Sequence, residues 1–265
     1  MELSCVTTGQ GPPLVLLHGF TGNHTSWEEW LPEFEQGRSV LAVDLPGHGR
    51  TGIDRQDPAG GLPAVAAALD QLLDAYSIQQ ADFIGYSMGG RALLHFAHLF
   101  PHRVTSMVIL SASPGIEDAT EKQERARADD ALADRIETHG LERFVTEWME
   151  QPLFQTLAHA DPARVARERS RKLSGDAGRF ADALRQMSPG RQPSLWSSLG
   201  EMRIPSLIAA GSLDKKYVAM AHRMATLMPE ARAVVIPEAG HALLLEKPVE
   251  TAAAVAAFEA ERASS

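Results

Sequence analysis

Six short strand-like runs divide this chain: Leu14–Leu17, Val40–Val43, Ala81–Ile84, Val104–Leu110, Ser206–Ala210 and Ala233–Ile236. Each is rich in apolar residues and bounded by Gly, Pro or polar residues. Runs that stay apolar instead of alternating with polar residues mark strands covered on both faces, as in a parallel sheet. Helical stretches lie between them, at Leu62–Ala75, Met88–Phe100, Val218–Met228 and Val249–Arg262. Parallel neighbours need a crossover connection, and a helix supplies it. The order therefore predicts an α/β fold with a mostly parallel, doubly wound sheet. With 265 residues, 44% of them hydrophobic, the chain can bury one such core.

One segment breaks the rhythm. Between Ile116 and Leu199 no convincing strand occurs, and charged and apolar residues alternate with helical spacing, as at Phe144 and Trp148, followed by Leu153. Pro152 and Pro162 stand where new helices can start. The segment is too long for a plain loop, and long insertions in compact domains are usually functional lids. The expected organisation is a core of residues 1–115 and 200–265 with a helical cap, 116–199, inserted in it. The tail Ala263-Ser264-Ser265 is expected to fray.

Gly85-Tyr86-Ser87-Met88-Gly89 follows the run Ala81–Ile84 and opens a helix. A G-x-S-x-G turn between strand and helix is the nucleophile elbow of the α/β-hydrolase fold, which lifts the serine above the sheet edge. His18-Gly19 ends the first core strand, and this loop normally supplies one oxyanion N–H, here that of Phe20, with Met88 as the other donor. Asp214 follows the strand-like run Ser206–Ala210, and His241 follows the last one. Ser, Asp, His is the α/β-hydrolase chain order, with all three at carboxyl ends of strands, where open α/β sheets place their sites. The expected catalytic residues are thus Ser87, Asp214 and His241: an imidazole accepts the serine proton, and the carboxylate fixes its tautomer. Asp214 also suits a helix N-cap, and His241 a plain loop position.

The formal net charge of −9 argues against a nucleic-acid or anionic-membrane partner. Cys5 is the sole cysteine, which excludes an intrachain disulfide. No basic-then-apolar leader opens the sequence and no apolar run reaches ~18 residues, so a cytoplasmic protein is the expectation. Asp44-Leu45-Pro46-Gly47-His48-Gly49 reads as a structural turn. His95, His98 and His102 share a helical spacing, but no carboxylate or cysteine joins them, so no metal is expected. Arg125 and Arg127, then Arg164, Arg167, Arg169, Arg171 and Lys172, make the insertion locally basic. Most read as a solvated face, whereas those turned into a cleft would bind carboxylates. Arg91 lies one helical turn beyond Ser87 and can face the same mouth.

Leu17-His18-Gly19-Phe20-Thr21-Gly22, Asp44-Leu45-Pro46-Gly47-His48-Gly49, Gly85-Tyr86-Ser87-Met88-Gly89-Gly90-Arg91, Ser113-Pro114-Gly115-Ile116, Trp148-Met149-Glu150-Gln151-Pro152-Leu153-Phe154 and Gln192-Pro193-Ser194-Leu195-Trp196 resemble the 2-succinyl-6-hydroxy-2,4-cyclohexadiene-1-carboxylate synthases of menaquinone biosynthesis, nearly end to end. The resemblance implies a lyase on a hydrolase fold. Its substrate is a small polycarboxylate, a cyclohexene bearing a succinyl ketone, a ring carboxylate and an enolpyruvyl ether, and no cofactor is needed. Ser87 would then act as a base activated by His241, and the oxyanion hole would hold the enolate-like oxygen. Tyr86, Arg91 and Trp148 match cleft residues of the family. One cap arginine falls at Arg125, with Arg127 as the alternative register, and another at Arg171, with Lys172 as its alternative. After His241 the chain reads Ala242-Leu243-Leu244-Leu245-Glu246, where many relatives carry a second histidine. The alternative activity is a serine hydrolase of esters or vinylogous C–C bonds with Ser87 as nucleophile, and a catalytically silent ligand-binding module is a third reading. The residues do not specify an oligomeric state.

Overall fold

The structure, a computed structural model, describes residues 1–55 and 60–264; Ser265, the last residue of the tail expected to fray, lies outside them. Among the described residues, seven strands form one sheet: β1 (Ser4–Gly9), β2 (Pro13–Leu17), β3 (Ser39–Asp44), β4 (Ala81–Tyr86), β5 (Val104–Leu110), β6 (Ser206–Gly211) and β7 (Ala231–Ile236), in the order β1-β3-β2-β4-β5-β6-β7. All neighbours are parallel except β1, which pairs antiparallel with β3 from Ser4↔Asp44 to Gly9↔Ser39. The helices are α1 (Leu31–Phe34), α2 (Leu62–Ala75), α3 (Met88–Leu99), α4 (Ala119–His139), α5 (Leu141–Met149), α6 (Pro162–Leu173), α7 (Ala177–Gln186), α8 (Lys215–Leu227), α9 (Leu243–Glu246) and α10 (Pro248–Ala263).

The apolar runs explain the layering. Val15 and Leu17 of β2 point into one apolar layer with α2 and α3, while Leu14 and Leu16 point into the other with α10. Successive strand residues face opposite sides, so a strand must be apolar throughout to fill both layers, and Leu14 to Leu17 are fully buried. β1 is absent from the six runs read in the sequence. Its residues Ser4, Thr7 and Thr8 are polar and its burial is partial, because an edge strand has a neighbour on one side only. Backbone pairing with β3, not apolar patterning, makes it a strand.

The chain between β5 and β6 contributes α4 to α7 and no strand. A 3₁₀ helix begins at Pro152 and α6 at Pro162, since proline at the first helical position lacks an N–H that would be unpaired there anyway. These helices have a small apolar cluster of their own, including Ile136, Phe144, Val145 and Phe180, against which Phe20 of the β2 loop packs. No helix among the described residues is long and apolar enough to cross a membrane. His95 of α3 is buried while His98 and His102 are exposed. Among the described residues, no group of three or more His, Cys, Asp or Glu side chains is placed to hold a metal.

Candidate active site

β4 delivers Ser87 at a strained turn. Ser87 has φ 50° and ψ −107°, a left-handed conformation that a side-chain-bearing residue holds only when its surroundings enforce it. Here Ser87 N–H donates to Leu110 O of β5 at 2.8 Å, and Arg91 N–H donates back to Ser87 O at 3.0 Å as α3 begins. Gly89 is obligatory for close approach: a Cβ there would lie 2.1 Å from Leu17 O. The turn is thus wedged against the end of β2, with Ser87 preceding the first residue of α3.

Ser87 Oγ lies 3.1 Å from His241 Nε2, and His241 Nδ1 lies 2.9 Å from Asp214 Oδ2. An ionised carboxylate only accepts, so Nδ1–H donates to Asp214 and Nε2 presents its lone pair to the serine O–H. Asp214 fills both roles open to it in the sequence. Its Oδ1 also accepts from Tyr217 N–H at 3.3 Å, which is why α8 starts at Lys215, ahead of the Val218 start expected. The His241 loop is held by Glu246, whose carboxylate accepts from Gly240 N–H at 2.6 Å and Ala242 N–H at 3.0 Å. The ring of Tyr217 stands 4.6 Å from the imidazole, centroid to centroid.

The loop after β2 lies directly against the elbow. A Cβ on Gly19 would approach the Tyr86 ring to 2.8 Å, so glycine lets the Phe20 segment close on Ser87. Two buried histidines clasp this loop. His18 Nε2 accepts from Leu45 N–H at 3.0 Å while its Nδ1–H donates to Gly19 O at 2.7 Å; His48 Nε2 accepts from Thr21 N–H at 3.1 Å while its Nδ1–H donates to Pro46 O at 2.9 Å. Thr21 is itself at φ 66°, so the clasp holds a strained residue next to Phe20. Asp44, also buried, accepts from the N–H groups of His24 and Arg50, and the 44–49 segment is a structural turn at this point. The Met88 N–H opens α3, where the helix offers no internal acceptor, and the positive end of the helix dipole lies at this turn.

Burial pulls the His18 imidazole down to about 4, and His48 is shifted in the same direction for the same reason, reinforced by the neighbouring His18. Both act as acceptors only when neutral. Above the unfolded value of ~6.5 both states of the chain are neutral and the clasp contributes in full. Between there and about 4 the unfolded chain takes up protons that the folded chain refuses. Stability should therefore fall as pH drops through this window by ~1.4 kcal/mol per pH unit for His18, with His48 adding to the slope in the same direction. Urea unfolding at pH 7.5, 6.5, 5.5 and 4.5 measures this, and a slope that stays the same in His48→Gln would remove His48 from the account.

A cavity opens over Ser87 beneath α4 to α7. Tyr86, Arg91, Arg125, Trp148 and Arg171 line it, together with Phe20, Met88, Ser87 and His241; Asp214 sits behind His241. Between the alternative registers, Arg125 lines the cavity and Arg127 does not, whereas Arg171 and Lys172 both do. Phe20 and Trp148 meet edge to face at 5.1 Å, and Phe154 stands 6.0 Å from His241, giving the cavity an apolar wall. The Trp148 indole N–H is buried with no partner among the described residues.

The cations differ in how they are compensated. Arg125 Nε donates to both oxygens of buried Asp129, at 2.9 and 3.0 Å, and Asp129 also accepts from Ser188 Oγ. Arg171 donates to Glu168 and, at 2.9 Å, to Thr25 Oγ1. Lys172 donates to Glu168 at 2.5 Å and to Thr21 Oγ1 at 2.8 Å. Burial alone would push the Glu168 carboxyl up, but the charges of Lys172 and Arg171 outweigh it and hold the group below its ordinary value. Among the described residues, Arg91 donates only to neutral oxygens, Met187 O at 2.9 Å and Gln192 Oε1 at 3.1 Å, and burial pulls it down to about 10. Glu168, Tyr217, Gln192 and Glu246 were not singled out as site residues in the sequence. Two of them carry a signal in the sequence: Glu168 and Lys172 stand at the i, i+4 spacing of a helical ion pair, and Gln192 opens the Gln192-Pro193-Ser194-Leu195-Trp196 motif.

The profile of the α/β hydrolase fold family matches residues 12–248. A protein of Bacillus subtilis (strain 168), provisionally designated a 2-succinyl-6-hydroxy-2,4-cyclohexadiene-1-carboxylate synthase, is 34% identical over 235 residues, covering 89% of this chain and 85% of its own. The synthase of that name from Escherichia coli O1:K1 / APEC is 32% identical over 245 residues, 92% of each chain. The solved structure of MenH from S. aureus superposes with a TM-score of 0.92 at 31% identity, over 97% of this chain and 98% of that one. Strand order, elbow and sequence agree, and the chain belongs to the α/β-hydrolase fold family and, within it, to the family of the 2-succinyl-6-hydroxy-2,4-cyclohexadiene-1-carboxylate synthases.

Proposed function

We propose that this enzyme eliminates pyruvate from 2-succinyl-5-enolpyruvyl-6-hydroxy-3-cyclohexene-1-carboxylate to give 2-succinyl-6-hydroxy-2,4-cyclohexadiene-1-carboxylate. The observation that carries the reading is the cavity itself. In a chain of net charge −9, a serine bonded to an imidazole shares one cavity with Arg91, Arg125, Arg171 and Lys172. Long-range attraction cannot bring a tricarboxylate to such a protein, so local cations must hold it.

In this reading His241, steadied by Asp214, draws the proton from Ser87, and the Ser87 oxygen removes the proton next to the succinyl ketone. The Phe20 and Met88 N–H groups stabilise the enolate oxygen as charge develops. Collapse of the enolate forms the new ring double bond and breaks the ether C–O bond. The leaving group departs as the enolate of pyruvate and takes up a proton, which returns the abstracted one and regenerates the resting triad. Arg91, Arg125 and Arg171 grip carboxylates through planar forks, while Tyr86 and Trp148 pack on the ring. Residues 116–199 act as the cap that excludes water from residues 1–115 and 200–265. We further infer a cytoplasmic enzyme that acts on a small molecule without nucleic acid or membrane as partner.

Fold alone does not choose between elimination and ester hydrolysis, because one set of donors serves both. Incubation with the enolpyruvyl substrate should release stoichiometric pyruvate, followed by coupled reduction. p-Nitrophenyl esters should turn over slowly and without a burst, since a burst marks an accumulating acyl-enzyme. Efficient ester turnover with a stoichiometric burst and no pyruvate from the enolpyruvyl compound would make Ser87 a nucleophile and the chain a hydrolase.

A further inference from the structure

Two segments that contain no catalytic side chain converge beneath Arg91. Leu195 N–H donates to Pro114 O at 2.8 Å, and Trp196 Nε1–H donates to Gly115 O at 2.9 Å. This joins Ser113–Gly115, at the end of β5, to Gln192–Trp196, at the end of the helical insertion. Gln192 is buried in the junction. Its Nε2 faces Ser113 O at 3.5 Å, and its Oε1 lies 3.1 Å from Arg91 Nη1. An amide nitrogen only donates and a guanidinium never accepts. The Gln192 amide therefore has one orientation that suits both ends, with the carbonyl toward Arg91.

This support differs in kind from those of the other cavity cations. Arg125 leans on Asp129, while Arg171 and Lys172 lean on Glu168. The carboxylate nearest in effect to Arg91 is Asp129, and Arg125 and Ser188 already engage it. Among the described residues, Arg91 is thus a buried cation held by Met187 O and Gln192 Oε1, both neutral, with no carboxylate bonded to it. A buried charge without a counter-ion is unfavourable until an anion arrives, and an acid in place of Gln192 would remove that need.

We propose that Gln192 is a positioning residue for carboxylate recognition: its neutral carbonyl orients the Arg91 guanidinium toward the cavity and leaves the positive charge to be met by a carboxylate of the substrate. This rests on the polycarboxylate reading of the cavity. Met187 O supplies the second neutral contact through the backbone, so the side chain open to variation is Gln192.

Gln192→Glu preserves length and offers Arg91 an internal counter-ion. KM for the enolpyruvyl substrate, read by pyruvate release, should rise ~10-fold or more with kcat changed less than ~3-fold, because ground-state grip is lost while the triad is untouched. Calorimetric titration with citrate, as a tricarboxylate probe, should show a similar weakening without any turnover. Gln192→Met removes the acceptor without adding charge and should raise KM by only ~3- to 10-fold; if Gln192→Glu does not fold, this variant carries the test. In an Arg91→Ala background, Gln192→Met should add less than ~2-fold, since residues acting through one another are not additive. Wild-type KM and citrate affinity in Gln192→Glu, or a Gln192→Met effect of equal size with and without Arg91, would overturn the proposal. A wild type that releases no pyruvate while Gln192→Glu still weakens citrate binding would sink the assigned reaction and leave the role of Gln192 standing. A wild type that neither releases pyruvate nor binds citrate would overturn both.

Discussion

Ser87→Ala should lower kcat for pyruvate release by ~10³-fold or more while leaving the fold intact. The Ser87 oxygen is the group in hydrogen-bond contact with His241 Nε2, and a methyl group can neither accept nor return a proton. Residual rate would come from binding and from the oxyanion donors, which persist when a triad member is removed. The strained backbone at this position, φ 50°, is held by Leu110 O and by the start of α3, neither of which involves the hydroxyl, so the alanine variant should unfold at nearly the same urea concentration as the parent. Steady-state kinetics with the enolpyruvyl substrate checks this. Turnover within tenfold of the parent would mean that His241 takes the substrate proton directly or that another group is the base.

Asp214→Asn should lose ~10³- to 10⁴-fold in kcat by a different route. The asparagine carbonyl can still accept from Tyr217 N–H and cap α8, a contact worth ~1 kcal/mol, so the structure should survive. The amide nitrogen would then face His241 Nδ1 and donate to it. That reverses the tautomer: the imidazole proton moves to Nε2, and the lone pair that takes the Ser87 proton is gone. Stability by urea unfolding and activity by pyruvate release should separate cleanly in this variant. Full activity would require another acid to orient the histidine. A loss of fold equal to the loss of rate would make Asp214 a helix cap alone.

How much of this could be read without coordinates follows from the range of the interactions involved. β2 to β6 were legible because a strand buried on both faces is apolar along most of its length, as Leu14 to Leu17 are. β7 is an edge strand and partly buried, and was legible only because its run Ala233–Ile236 is apolar; β1, the other edge, was not, because Ser4, Thr7 and Thr8 break any apolar run. The elbow was legible because its requirements are local: a strand, a turn that needs glycine, and a helix. The cap arginines were ambiguous in register, since one residue along a helix rotates a side chain by about 100°. Two residues separate Arg125 from Arg127 and place them on nearly opposite faces, so the first meets the cavity and the second does not. One residue separates Arg171 from Lys172, and both reach the cavity because Glu168, three and four positions back, binds them together.

The sequence by itself determined which chemistry was on offer: a serine at an elbow, an acid and an imidazole in hydrolase order, and arginines able to bind an anion. The tertiary structure decided which of those charges are already neutralised. Arg125 and Arg171 find acids within four residues along their own helices, whereas the partners of Arg91 lie at positions 187 and 192, across the junction of insertion and core. Only that distant packing shows them to be a carbonyl and an amide. The physical reason is that burial and counter-ion choice depend on what the whole chain brings to one place, and no local pattern encodes the absence of an acid.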